Sequence, residues 1–259
     1  MIRLERSNLA GLQPLFSEYL KTLTGVTDGF WEANLLNAEH YSIRQSSNDS
    51  LIGGFALQKG ERLTWFYLKP TYLHRAQGIF QQTLQDFSIK TAYVATADPL
   101  LMAMCLDFHH QIKMQAYFFE VDPERLAVAP PYAKECLQQV TAQELDNEPE
   151  AKTFYELQPS MLLEGSHRLY RLTAAGEILG YGHIEQLKLL QGWYDVGNLV
   201  LPQHRQKGVG RSLLQHLTQQ IIAEGNHPIV GCWYYNQLSK RTIESAGFYS
   251  RSRLLNVLF

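Results

Sequence analysis

Between Val200 and Leu214 the chain reads Val-Leu-Pro-Gln-His-Arg-Gln-Lys-Gly-Val-Gly-Arg-Ser-Leu-Leu, a strand joined to an amphipathic helix through a basic turn punctuated by glycine. These are the parts of a phosphate cradle. Gly208 and Gly210 would let the backbone approach an anion closely, while the following helix would offer unpaired N–H groups and a favourable dipole at its start. Arg205, Lys207 and Arg211 add side-chain charge. Two common phosphate motifs are excluded. Leu213 stands where a dinucleotide fingerprint needs its third glycine, and the Gly-Lys-Ser/Thr ending of a P-loop is absent. By itself the stretch also reads as an ordinary tight strand-to-helix connection, so its context decides.

A second constellation follows. The strand Ile229 to Tyr235 leads into Asn236, a natural helix N-cap, and the short polar helix after it ends at Gly247-Phe248, with glycine in the usual C′ place. Charge agrees with an anionic ligand: residues 196–259 carry seven Lys/Arg against two acids, whereas residues 135–195 carry ten acids against four bases. A solvated basic face would give the same count.

The spacing Arg205, Gly208, Gly210 fits Arg/Gln-x-x-Gly-x-Gly/Ala and so resembles the pyrophosphate-binding motif of the GCN5-related N-acetyltransferases. The strand Tyr194 to Leu201, with Pro202 after it, is also similar to that family, and Asn236 to Phe248 resembles its Asn-x-x-Ala…Gly-Phe element, whose asparagine contacts the pantetheine arm. The resemblance covers residues 135–259. It implies acetyl-coenzyme A as acyl donor, held by Leu199, Val200, Leu201, Arg205, Gln206, Lys207, Gly208, Val209, Gly210, Arg211, Ser212, Asn236 and Ser239.

The reaction so implied is attack of a primary amine, on a small molecule or a peptide, upon the thioester. With an amine pKa near ~10.4, only roughly one molecule in a thousand is unprotonated at neutral pH, so a base or water relay must take a proton. Asp195, in the strand before the cradle, is the first candidate, and Glu185 on the preceding strand the second; either also reads as a solvated strand carboxylate. A backbone N–H near Val200 to Leu201 would polarise the thioester oxygen. The chain departs from the family where a tyrosine often donates a proton to the leaving thiolate: Ile243 stands there. Tyr235, Ser239 or Tyr249 are the substitutes within reach in sequence, the alternative being a thiolate that leaves unprotonated. The competing readings are a non-catalytic coenzyme-binding or sensory module that has lost turnover, and a different acyl donor or an oxygen acceptor.

The cradle must be positioned by an α/β framework, and the chain contains its parts twice. A shift of 132 places Pro70 on Pro202 and Gly78 on Gly210, and Asp98-Pro99 opens a helix 138 residues before Asn236. The fold expected is two tandem acetyltransferase-like domains, each a mixed, mainly antiparallel sheet flanked by helices: residues 1–122, a proline-rich linker 123–134, and 135–259. In the first copy Leu73 and Ala76 stand at the Arg205 and Gly208 places, so it is expected to bind no coenzyme. Its segment Gly25 to Trp31, with Tyr41, is a candidate wall of an acceptor pocket. Trp65, Phe66 and Tyr67 are candidates for contact with the second domain.

At 259 residues, with 45% apolar content and a formal net charge of −2, the chain has the composition of a globular protein and no electrostatic case for nucleic acid. The start Met1-Ile-Arg-Leu-Glu-Arg lacks the apolar core of a secretory signal and no stretch reaches the length of a membrane span, so a cytoplasmic protein, monomer or homodimer, without membrane partner is expected. Cys105, Cys136 and Cys232 are scattered and read as reduced thiols, with Cys232 an alternative catalytic group. No metal is expected: His109 and His110 diverge on a helix, and His183 and Glu185 share a strand face without further ligands.

Overall fold

Runs of β-branched and aromatic residues separated by polar turns give strands β1 (Ile2–Ser7), β2 (Glu39–Gln45), β3 (Leu51–Gln58), β4 (Arg62–Leu68), β5 (Thr91–Ala95) and β6 (Gln111–Val121) in the first half of the chain. Helices α1 (Gln13–Leu20), α2 (Gly29–Leu36), α3 (Ala76–Asp86) and α4 (Pro99–Phe108) lie between them. Asp28 and Asp98 start α2 and α4 by accepting N–H bonds from Trp31 and Leu101, at 2.8 and 3.0 Å.

The second half repeats the scheme: α5 (Pro123–Leu126), β7 (Leu137–Val140), α6 (Pro149–Phe154), α7 (Pro159–Leu163), β8 (His167–Ala174), β9 (Glu177–Gln186), β10 (Trp193–Val200), α8 (Val209–Ala223), β11 (His227–Trp233), α9 (Gln237–Ser245) and β12 (Phe248–Leu258). The computed structural model describes residues 2–259. They form two compact units, one containing the chain up to Tyr117 together with Ser252–Phe259, the other Phe118–Arg251.

Strand order is β1-β2-β3-β4-β5-β12 in the first unit, to which β12 belongs from Ser252 on, and β6-β11-β10-β9-β8-β7 in the second, to which β6 belongs from Phe118 on. Each sheet is mixed. The pairs β1/β2, β2/β3 and β3/β4, and likewise β7/β8, β8/β9 and β9/β10, are antiparallel, whereas β4/β5 and β10/β11 are parallel. The parallel pairing is short in both. It joins Arg62 and Leu63 to Thr91 and Ala92, and Trp193 to Asp195 with His227 to Ile229. β10 runs on to Val200, so the two strands part after Asp195 and leave a cleft.

The first compact unit is not continuous in sequence. Phe118–Val121 counts with the second unit, and Ser252–Leu258 with the first, where Leu254 to Leu258 pair antiparallel with Ala95 to Thr91. The linker is also more ordered than its prolines imply. Pro123 occupies the first helical position, where a missing N–H costs nothing, and Asp122 accepts from the Glu124 and Arg125 N–H groups, so one turn of helix forms. Farther on, Gln215 donates to the Val128 carbonyl at 2.7 Å and the Tyr132 N–H donates to the Ser212 hydroxyl at 3.0 Å, tying the segment along α8.

The aromatic residues considered for other roles are core of the first unit. Trp65 stacks on Phe16 with centroids 4.1 Å apart, Phe66 meets Phe80 edge-on at 5.0 Å, and the Tyr67 hydroxyl donates to Glu18. Trp31 is buried, and the half-buried Tyr41 stacks on Phe55 at 4.9 Å.

Candidate functional site

The cleft between β10, the start of α8 and α9 has a volume of about 750 Å³. Asn198, Leu199 and Val200 form one side, the turn Arg205 to Arg211 its floor, and Asn236, Ser239, Arg241, Thr242 and Ser245 the other side. Its lining includes three arginines and no carboxylate. Such a basic recess suits a polyanion.

The two glycines serve different purposes. Gly208 has φ +81°, a left-handed conformation that side-chain-bearing residues avoid, and Gln206 before it also has positive φ. Consecutive turns of this kind aim backbone N–H groups into a common concavity. No side chain caps α8, and its first intrahelical bond runs from the Ser212 N–H to the Gly208 carbonyl. The N–H groups of Val209, Gly210 and Arg211 therefore precede the helical ladder, at residues that line the cleft. Gly210, by contrast, is small because three elements meet there. A Cβ would lie 2.9 Å from Asn198 Nδ2, 2.9 Å from Thr242 Cγ2 and 3.2 Å from Val200 Cγ2. Its part is to bring β10 and α9 against the helix start rather than to admit an anion.

Most of the residues expected to hold a ligand converge. Leu199, Val200, Arg205, Gln206, Gly208, Val209, Gly210, Arg211, Asn236 and Ser239 all line the cleft. Leu201, Lys207 and Ser212 do not. Leu201 packs with the apolar cluster around Tyr155 and Leu157, and Lys207 donates to the Gln203 carbonyl. Ser212 is buried, its hydroxyl donating to the Gly208 carbonyl while accepting from Tyr132. Asn236 caps α9 by accepting the Ser239 N–H at 3.0 Å, which leaves its amide NH₂ as a donor at the cleft edge.

Sequence reasoning passed over Asn198, Arg241, Thr242 and Ser245. A signal was present for two of them: Asn236, Ser239, Thr242 and Ser245 recur every three residues along one polar stripe of the helix, beside the buried Ile243. Ile243 is core and carries no exchangeable proton, so the family's usual acid is missing from its place.

Of the expected catalytic residues, only Ser239 lines the cleft itself. Tyr235 is exposed beside Trp233 at the end of β11. Asp195 is the last residue of β10 paired with β11, and Glu185 is its direct neighbour on β9, with Cβ atoms of such pairs about 5 Å apart. Alternation puts Asp195, Gly197 and Leu199 on the sheet face opposite α8, with Glu185, His183 and Tyr181 beside them in register. On that face Tyr155 covers Gly197, where a Cβ would lie 3.4 Å from its ring, and stacks on His183 at 4.6 Å. Glu148 is buried but satisfied, accepting from Arg171 at 2.7 Å and from the Tyr181 hydroxyl at 2.6 Å.

The corresponding turn of the first unit is built otherwise. Ala76 is right-handed helical at φ −57°, and Gly78, in the first turn of α3, faces open space. Asp98, in the place of Asn236, is buried and bonded to the Tyr19 hydroxyl at 2.8 Å, and burial pushes its carboxyl up to about 6. Among the described residues no group of three or more His, Cys, Asp or Glu side chains could hold a metal ion, and no helix is long and apolar enough to cross a membrane.

Comparison with known proteins finds a family match on each half of the chain. Residues 8–122 match the family model described as "Acetyltransferase (GNAT) domain" and residues 133–248 that described as "Acetyltransferase (GNAT) family". Among solved structures, a GNAT-family acetyltransferase from Colwellia psychrerythraea aligns over 99% of both chains at 20% identity with a TM-score of 0.86. A tandem GNAT protein from the clavulanic acid biosynthesis pathway aligns over 99% of this chain and 98% of its own at 14% identity, TM-score 0.60. A GCN5-related N-acetyltransferase from Sphaerobacter thermophilus covers 99% and 94% at 12% identity, TM-score 0.55. No curated protein matches the sequence. With an acetyltransferase model on each half and the duplicated sheet order between them, the chain belongs to the GCN5-related N-acetyltransferase family as a tandem of two such domains.

Proposed function

We propose that the second unit transfers the acetyl group of acetyl-coenzyme A to a primary amine and that the first unit binds no coenzyme. The observation that carries this reading is the left-handed turn at Gly208, which opens α8 without a side-chain cap into a recess containing Arg205, Arg211 and Arg241. In it the diphosphate would sit on the N–H groups of Val209 to Arg211, with the pantetheine arm running between Leu199 and Asn236 toward the point where β10 and β11 part. The amine would approach from the opposite face of the sheet. There Asp195 and Glu185 would hold its ammonium and take the first proton, and a β10 backbone N–H near Val200 to Leu201 would stabilise the oxyanion.

The test is to follow thiol release from acetyl-coenzyme A with a broad amine panel, alongside calorimetry of coenzyme binding to wild type, Gly208→Val and Arg205→Ala. Valine must adopt a strained φ and meet Pro131, whose Cγ lies 2.7 Å from the Cβ position, so binding should weaken at least tenfold. Unchanged affinity in both variants removes the cradle. Tight binding without turnover on any amine or alcohol would instead favour the non-catalytic module, the reading that Ile243 supports.

A further inference from the structure

The second unit contains a histidine pair that the cradle does not use. His183 on β9 is 7% exposed, and its Nε2 lies 2.9 Å from Nδ1 of His167, the half-buried first residue of β8. The rings are nearly parallel, 18° apart. His183 is the direct β9 neighbour of Gly197, which lies two residues past the last β10/β11 pair and is covered by the ring of Tyr155. The pair thus lies one strand from the opening of the cleft, on the face that carries Asp195 and Glu185.

Two imidazoles sharing one hydrogen bond are a proton wire when both are neutral, because a proton entering at one outer nitrogen releases another at the far one. Both rings are held neutral here. Burial, aided by His167, pushes His183 down to about 3, and burial with the charge of Lys188 lowers His167. The groups facing them are Tyr155, stacked on His183, and in the neighbouring row Glu185 and Asp195. A cation on His183 is disfavoured, so a proton can pass only in step with the departure of another.

We propose, resting on the acyl-transfer reading above, that His183 and His167 are the proton relay for the second amine proton and for the leaving sulfur. When the C–N bond forms, the adduct's N–H proton goes to His183 Nδ1, the His183 Nε2 proton passes to His167 Nδ1, and the His167 Nε2 proton leaves to solvent. When the C–S bond breaks, sulfur takes the bond's electron pair and the proton now on His183 Nδ1. His167 Nδ1 then refills His183 Nε2, and solvent refills His167 Nε2. The pair ends as it began, and the role vacated at Ile243 is filled.

The test compares wild type with His167→Gln and His183→Gln, which keep a hydrogen-bonding side chain but cannot exchange tautomers. Coenzyme affinity and melting temperature serve as controls, and a second pair of readouts is the pH–rate profile and rescue by added imidazole. Expected are a fall in kcat of roughly 100-fold, little change in coenzyme affinity, and partial rescue of His167→Gln by imidazole. Nitrogen NMR of the wild type should show both rings neutral at pH 7. An imidazolium there, or a wild-type rate and pH profile in His167→Gln, overturns the relay while leaving acyl transfer standing. Absence of turnover in the wild type overturns both.

Discussion

Asn236 and Asp98 each cap the helix that follows the second strand of its unit's parallel pair, β11 or β5, accepting the N–H three residues on. Asn236 is exposed at the cleft, whereas Asp98 is buried under Tyr19. The carboxyl of Asp98 is therefore raised from its usual 3.8 to about 6, mainly by desolvation. A folded-state value above the unfolded one means that the folded chain binds the extra proton between those two pH values. Its contribution is complete below pH 3.8 and is lost as pH rises through about 6, roughly 3 kcal/mol in all. Denaturant unfolding monitored between pH 4 and pH 7 should show this decline, and Asp98→Asn, which keeps the cap and removes the charge, should flatten it. A wild type equally stable at both ends of that range would contradict the assignment. Asp195 makes a different prediction. Asp195→Asn leaves the phosphate contacts intact and removes a proton acceptor, so kcat should fall roughly 10²- to 10⁴-fold with coenzyme affinity kept; a normal rate across pH 6 to 9 passes the role to Glu185 or water.

At the scale of elements, the glycines Gly210 and Gly78 occupy matching places on α8 and α3 and lead to opposite expectations. A Cβ on Gly210 runs into Asn198, Val200 and Thr242, so Gly210→Ala should push β10 and α9 from the helix start, costing roughly 1–3 kcal/mol and weakening coenzyme binding. A Cβ on Gly78 meets nothing within 4 Å, and alanine there should stabilise the helix by roughly 0.5–1 kcal/mol. Paired urea titrations check both signs. The strand, turn and helix from Tyr194 to Leu214 and the Asn236 cap were legible because glycine, N-cap and hydrophobic spacing are local signals. What Gly210 is for was not legible, since its reason is two other elements touching it. The turn of helix at Pro123 was missed because proline was weighed as a helix breaker and not as a first helical residue. Nor could the place of Ser252–Leu258 in the first unit be read, because strand pairing as distant in sequence as Leu254 with Ala95 leaves no trace in local pattern.

For the whole molecule, duplication raises the question of how many coenzymes one chain holds. Both units part their parallel strands in the same place, at Leu63 and at Asp195, so a gap alone does not decide. What fills the gap does. In the first unit Trp65, at the place of Gly197, stacks with Phe16, and Tyr19 closes over Asp98, whereas in the second Gly197 has no side chain of its own, only the Tyr155 ring lying over it, and Asn236 is open. The first turn is also helical at Ala76 rather than left-handed, so the backbone concavity is missing along with the arginine. Calorimetry should give one coenzyme per chain, and Gly208→Val should remove that single event rather than half of a pair. Restoring the motif by Leu73→Arg with Ala76→Gly should create no second site, because neither change empties the space filled by Trp65, Phe16 and Tyr19. Two equivalents bound by the wild type, or a second one gained by that double variant, would show that the first unit's site is closed by two side chains and not by its core.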